Sequence, residues 1–79
     1  MKVRVCHYTS TEVEIDDSFQ KFVCNDEEYD RRWEEGELSQ SDVYNLIDAV
    51  SKELEEKGIN YGDIDAVEDV ATGLLMIEN

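Results

Sequence analysis

Lys2-Val3-Arg4-Val5-Cys6-His7 and Glu12-Val13-Glu14-Ile15-Asp16 each alternate polar with apolar residues, and only a few residues separate them. Alternation with a period of two is the mark of a strand that buries one face, so the pair reads as a β-hairpin. A Tyr8-Thr9-Ser10 loop would pair Val5 with Val13 and Val3 with Ile15, gathering all four on one sheet face. It would set Arg4 opposite Glu14 and Lys2 opposite Asp16 on the other face. A two-residue Thr9-Ser10 turn would instead put Val5 against Glu14, which conflicts with the apolar pattern and favours the longer loop.

Downstream the period changes. Ser18 is placed to cap a short helical turn that carries Phe19, Phe22 and Val23 on a common side. Asn25 before Asp26-Glu27-Glu28 is a stronger helix start, with Asn25 as the cap and Glu28 at the third helical position. This helix runs from Asp26 to Glu35, allows Arg31 and Arg32 to pair with acids one turn away, and ends at Gly36. A longer helix follows from Gln40 to Lys57, with Ser39 before it and Asp42 completing a capping box. Val43, Leu46, Ile47, Val50 and Leu54 form its apolar face, and Gly58 stops it. Residues 59–63 connect it to short strands over Ile64–Val70 and Leu74–Ile77, turning at Thr72-Gly73. The fold class is therefore α+β: one small mixed domain over residues 1–79 with an N-terminal β-hairpin, a short helix, a longer amphipathic helix and a C-terminal β-hairpin. A core of this size is modest, so a partner, including a second copy in a homodimer, would add stability.

Against this foldable pattern stands a formal net charge of -14, from 21 Asp and Glu against 7 Lys and Arg. A net charge of about 2–8 suffices to keep a small domain soluble, so the excess calls for another explanation. Disorder is a poor one, because 41% of the residues are hydrophobic and the aromatic residues supply material for a core. The N-terminus lacks the apolar run of a secretory signal, no stretch is long enough to span a membrane, and the charge opposes binding to anionic lipid. These features predict a cytoplasmic protein.

No catalytic constellation emerges. His7 is the only histidine, and its neighbour Cys6 projects to the opposite face of an extended strand, so the two do not make a nucleophile pair. Cys6 and Cys24 read as free thiols; with His7 they do not match a zinc spacing, and the acidic runs lack the ordered positions of a calcium loop. Gly58 to Gly62 lacks the length and the lysine of a phosphate-binding loop. The expectation is a noncatalytic protein with no cofactor and no metal.

Direct nucleic-acid binding is disfavoured, since the cations form no basic tract with which to neutralise phosphates. The inverse arrangement fits better: clustered carboxylates can occupy a partner's basic nucleic-acid groove in place of phosphates, with long-range attraction steering the encounter. The candidate surface is Asp26, Glu27, Glu28 and Asp30 with Glu34, Glu35 and Glu37, extended by Asp63, Asp65, Glu68 and Asp69. Tyr29 and Trp33, four residues apart, either dock the first helix onto the sheet or anchor an interface. In size, charge and mixed fold the chain resembles small phage or mobile-element proteins that block host defence nucleases by mimicking DNA, acidic anti-CRISPR proteins among them. The resemblance implies a noncatalytic inhibitor that works by occlusion in the host cytoplasm; it assigns no role to a numbered residue. The alternative is a regulatory or assembly domain that binds a protein without mimicking nucleic acid.

Overall fold

The structure, a computed structural model, describes residues 1–78. Its elements are β1 (Lys2–Cys6), β2 (Ser10–Glu14), a 3₁₀ helix (Asp17–Phe22), α1 (Asp26–Glu34), α2 (Gln40–Glu56), β3 (Ala66–Asp69) and β4 (Leu75–Glu78). The four strands form one antiparallel sheet in the order β2-β1-β3-β4, confirming the α+β class. The two hairpins thus join through β1 and β3, distant in sequence. Asp65 N–H donates to the Cys6 carbonyl at 2.8 Å and Val70 N–H to the Lys2 carbonyl at 3.2 Å, extending that seam at both ends.

The first hairpin differs from the sequence expectation by two residues. Val3 lies opposite Val13, Arg4 opposite Glu12, Lys2 opposite Glu14 and Val5 opposite Thr11, with His7-Tyr8-Thr9 as the loop. A two-residue slip keeps each side chain on its face and changes only its partner, so the apolar pattern does not oppose it. The loop favours it: His7 is buried between the Thr9 and Thr11 hydroxyls at 3.3 and 3.1 Å, and its N–H donates to the Thr9 carbonyl at 2.8 Å. Ile15 falls beyond β2, where its N–H donates to the Met1 carbonyl at 2.9 Å.

The chain then turns inward. Asp16, rather than Ser18, caps the 3₁₀ helix by accepting from the Ser18 N–H at 2.8 Å, and this amide holds the Asp16 carboxyl below its ordinary pKa. Phe22 is fully buried at the end of that helix. In α1 the Asn25 side chain accepts from Glu28 N–H at 2.9 Å, as its position suggests. Glu28 does not reach back to complete a capping box, because Arg31 and Arg32 hold its carboxylate. Helix α1 ends at Glu34 and α2 at Glu56, each one residue short of expectation. Gly36 and Gly58 follow in the left-handed region at φ 80 and 71, and their neighbours close the helix ends: Glu37 N–H donates to Arg32 and Ile59 N–H to Leu54.

Helix α2 lies over one sheet face. Leu46, Val50 and Leu54, spaced four residues apart, are fully buried with Val3, Val5 and Val67 from the sheet and Phe22 from the 3₁₀ helix. Its start is tied down twice. Asp42 accepts from the Ser39 N–H at 2.9 Å and the Ser39 hydroxyl at 3.0 Å, while Lys21 donates to its other oxygen at 2.5 Å. In the second hairpin β3 is shorter than expected and β4 lies one residue later at the same length, with an irregularity between Val67 and Glu68, where Met76 becomes the extra residue on β4.

Two measurements check this description. A double-mutant cycle between Arg4 and Glu12 should show a coupling of about 0.2–1 kcal/mol, typical of an exposed cross-strand pair, with no comparable coupling between Arg4 and Glu14. The Lys21 ammonium, together with the Ser39 donors, lowers the Asp42 pKa. A lowered native pKa contributes stability that is complete above the unfolded carboxyl value of about 3.9 and disappears as pH falls through the native one. Urea unfolding of the native chain and Asp42→Asn should therefore show a difference in stability that shrinks as the pH is lowered below about 4.

Candidate protein-binding surface

Helix α1 sorts its side chains into three lengthwise stripes, because residues three and four apart share a face. Tyr29 and Trp33 point to the body of the protein, half-buried against the core, with ring centroids 6.3 Å apart in an edge-to-face arrangement. Docking therefore accounts for their inward packing. A second group is internally paired, two cations against three carboxylates. Arg31 pairs with Glu28 and Glu35 and lies 3.7 Å from Glu37, and Arg32 lies 3.4 Å from Glu28 while donating to the Lys21 carbonyl at 2.6 Å.

The third stripe is Asp26, Glu27, Asp30 and Glu34. All four are exposed, and none forms an ion pair among the described residues. At about 1.5 Å per helical residue these four carboxylates span about 12 Å of axis in steps of about 1.5, 4.5 and 6 Å, a mean of about 4 Å per charge. The candidate acids of α1 and the turn after it thus divide into four that face solvent uncompensated and three, Glu28, Glu35 and Glu37, whose charge Arg31 and Arg32 partly offset. Helical spacing allows Arg31 to reach Glu27, Glu28, Glu34 or Glu35, and it pairs with Glu28 and Glu35.

The more distant acids do not form one patch with this stripe. Asp63 and Asp65 are exposed on the connector and line a cleft of about 460 Å³ with Ile47, Ser51, Tyr61 and Ile64, to which α1 contributes no residue. Glu68 lies on the open sheet face, 3.3 Å from Arg4. Asp69 faces inward with 5% exposure, and one carboxylate oxygen accepts from the Thr72 N–H at 3.0 Å and hydroxyl at 2.7 Å. Its place is the turn before β4 rather than a partner-facing surface. The Asp-x-x-Thr spacing at 69–72 was the available signal for that local role.

The open sheet face was not anticipated as a unit. Arg4 sits near its middle between Glu12 at 3.5 Å and Glu68, and Lys2, Glu14 and Glu78 lie around it. Leu74 and Leu75 are exposed to 37% and 47%. His7 is enclosed by the loop threonines, Cys6 and Cys24 are free thiols, and no group of three or more potential metal ligands occurs among the described residues. No described helix is long and apolar enough to cross a membrane. Comparison with protein-family models, curated proteins and solved structures found no match to this chain.

The inward packing of Trp33 makes a stability prediction. Trp33→Ala should cost about 2–3 kcal/mol in chemical denaturation, less than the about 3–5 kcal/mol expected for a fully buried tryptophan. A cost near zero would remove it as an anchor of α1.

Proposed function

We propose that this chain is a noncatalytic, acidic protein-binding domain that occupies the basic nucleic-acid groove of a partner protein, its carboxylates standing in for phosphates. The observation that carries the reading is the uncompensated stripe Asp26, Glu27, Asp30 and Glu34 on the outer side of α1. Its mean charge density, about one per 4 Å along the helix, is close to the about 3.4 Å per charge along one DNA strand. The helix is also a fixed support, capped by Asn25 and closed at Gly36, so presenting the charges requires little ordering on binding. The overall charge of -14 would draw a basic partner from a distance, and the stripe would meet its Arg and Lys residues at contact.

A host defence nuclease is the partner class this reading favours, acting in the cytoplasm of the host cell, in the manner of phage and mobile-element DNA mimics that include anti-CRISPR proteins. The chain itself does not bind nucleic acid, and inhibition needs no cofactor. A second reading, a regulatory or assembly domain that binds without mimicry, is favoured by exposed Leu74 and Leu75, which electrostatics does not explain.

The test is kinetic. The variant carrying Asp26→Asn, Glu27→Gln, Asp30→Asn and Glu34→Gln should keep its fold by circular dichroism and associate at least about tenfold more slowly with a captured basic partner at low salt. Its association rate should also depend less on salt. An unchanged rate in the folded variant would place the functional surface elsewhere.

A further inference from the structure

The sheet has two free edges, and they are not alike. The outer edge of β2 belongs to Ser10–Glu14, whose Glu12 and Glu14 carry charge along it. The outer edge of β4 belongs to Leu75-Met76-Ile77-Glu78, with no Lys or Pro to discourage pairing. Its protective features are the irregularity at Met76 and one charge, Glu78, at its end. All four β4 residues line one wall of a groove of about 250 Å³, and Cys24, Asp26 and Tyr29 line the other. The floor is apolar on the helix side, where Tyr29 is half-buried and Met76 and Ile77 are buried. Leu75 is 47% exposed beside it.

We infer that the free edge of β4 takes an extended basic segment of a protein partner as a fifth strand. Main-chain pairing would supply the directional part of this recognition, and alternate side chains its selectivity. The sign of the partner is set by charge: the groove lining holds two carboxylates, Asp26 and Glu78, and no cation. Neither carboxylate forms a salt bridge among the described residues, and Glu68 lies on the same open face opposite Leu75. A strand alternating basic and apolar residues fits both faces, with apolar side chains toward Tyr29 and Met76 and cations toward Glu78 and Glu68. A second copy of the chain is a poor occupant, since it would bring another charge of -14 to the edge. The site shares with the proposed mimicry the sign of its partner and one residue, Asp26, and does not depend on Glu27, Asp30 or Glu34.

The probe is an acetylated and amidated hexapeptide of alternating lysine and valine, titrated into the isotope-labelled full-length chain. It should move the backbone amide resonances of Leu75–Glu78 and leave those of β2 in place. Two further peptides carry N-methyl groups on one or the other alternating set of amides; one should bind like the parent and the other at least tenfold more weakly, because only one set can face β4. Leu75→Lys, at an exposed position, should also weaken binding at least tenfold. The Glu27→Gln, Asp30→Asn, Glu34→Gln variant should bind the peptide normally even if it fails to bind a nucleic-acid-groove partner. Equal binding of both N-methylated peptides, shifts confined to α1, or equal binding when threonine replaces lysine would overturn the inference. So would a dimer of the free chain in sedimentation that Leu75→Lys dissociates, which would make the occupant a second copy.

Discussion

Pairing of β1 along both of its edges is the constraint on which the sheet depends. Neither hairpin has enough strands to be stable alone, and β1 is the strand that makes four strands out of two pairs. It does so with Val3 and Val5 wholly removed from solvent in the core shared with α2, Val5 opposite Val67 and Val3 opposite Asp69 on β3. The same strand puts Lys2 and Arg4 on the outer face, where Arg4 is held between Glu12 and Glu68. One short alternating segment thus fixes the buried layer and places two of the chain's few cations among its carboxylates. Once the layer exists, α2 can bury Leu46, Val50 and Leu54, and the 3₁₀ helix can bury Phe22 beside them.

Local features of this fold are legible in sequence because their causes are local. Asn25 and Ser39 stand at helix starts, Asp42 lies at the right spacing to accept from Ser39, and Gly36 and Gly58 stand where the backbone needs a positive φ. The face of each N-terminal strand is legible for the same reason. Its register is not: a two-residue slip preserves the apolar alternation, and the choice rests on how His7 packs between two threonines. That an early strand pairs with a late one is suggested by the weakness of either hairpin alone, but the strand order is hidden, since the seam between β1 and β3 joins segments about sixty residues apart with nothing local to mark it.

The candidate surface divides along the same line. That α1 is densely acidic is plain from its sequence; that its acids fall into a paired and an unpaired stripe requires the positions of Arg31 and Arg32. Asp69 shows how composition overstates a surface, because a carboxylate in an acidic run can face inward and serve a turn. The Leu75–Glu78 edge shows the converse, since exposure of a strand edge depends on strand order rather than on residue type. Charge and edge lie close together at Asp26, which belongs both to the unpaired stripe and to the groove beside β4. A partner bound through the stripe would therefore sit next to an unsatisfied sheet edge, and the two modes of recognition could act on one protein or on two.

The most direct measurement of the mimicry account is competition at the partner's groove. A basic partner captured from the source cell is held at fixed concentration, and its affinity for the chain is measured as duplex DNA or structured RNA is added. If carboxylates on α1 take the place of phosphates, the nucleic acid that the partner naturally binds displaces the chain competitively, so apparent affinity falls in proportion to its concentration. Undiminished binding when the groove is saturated with that nucleic acid would contradict the account.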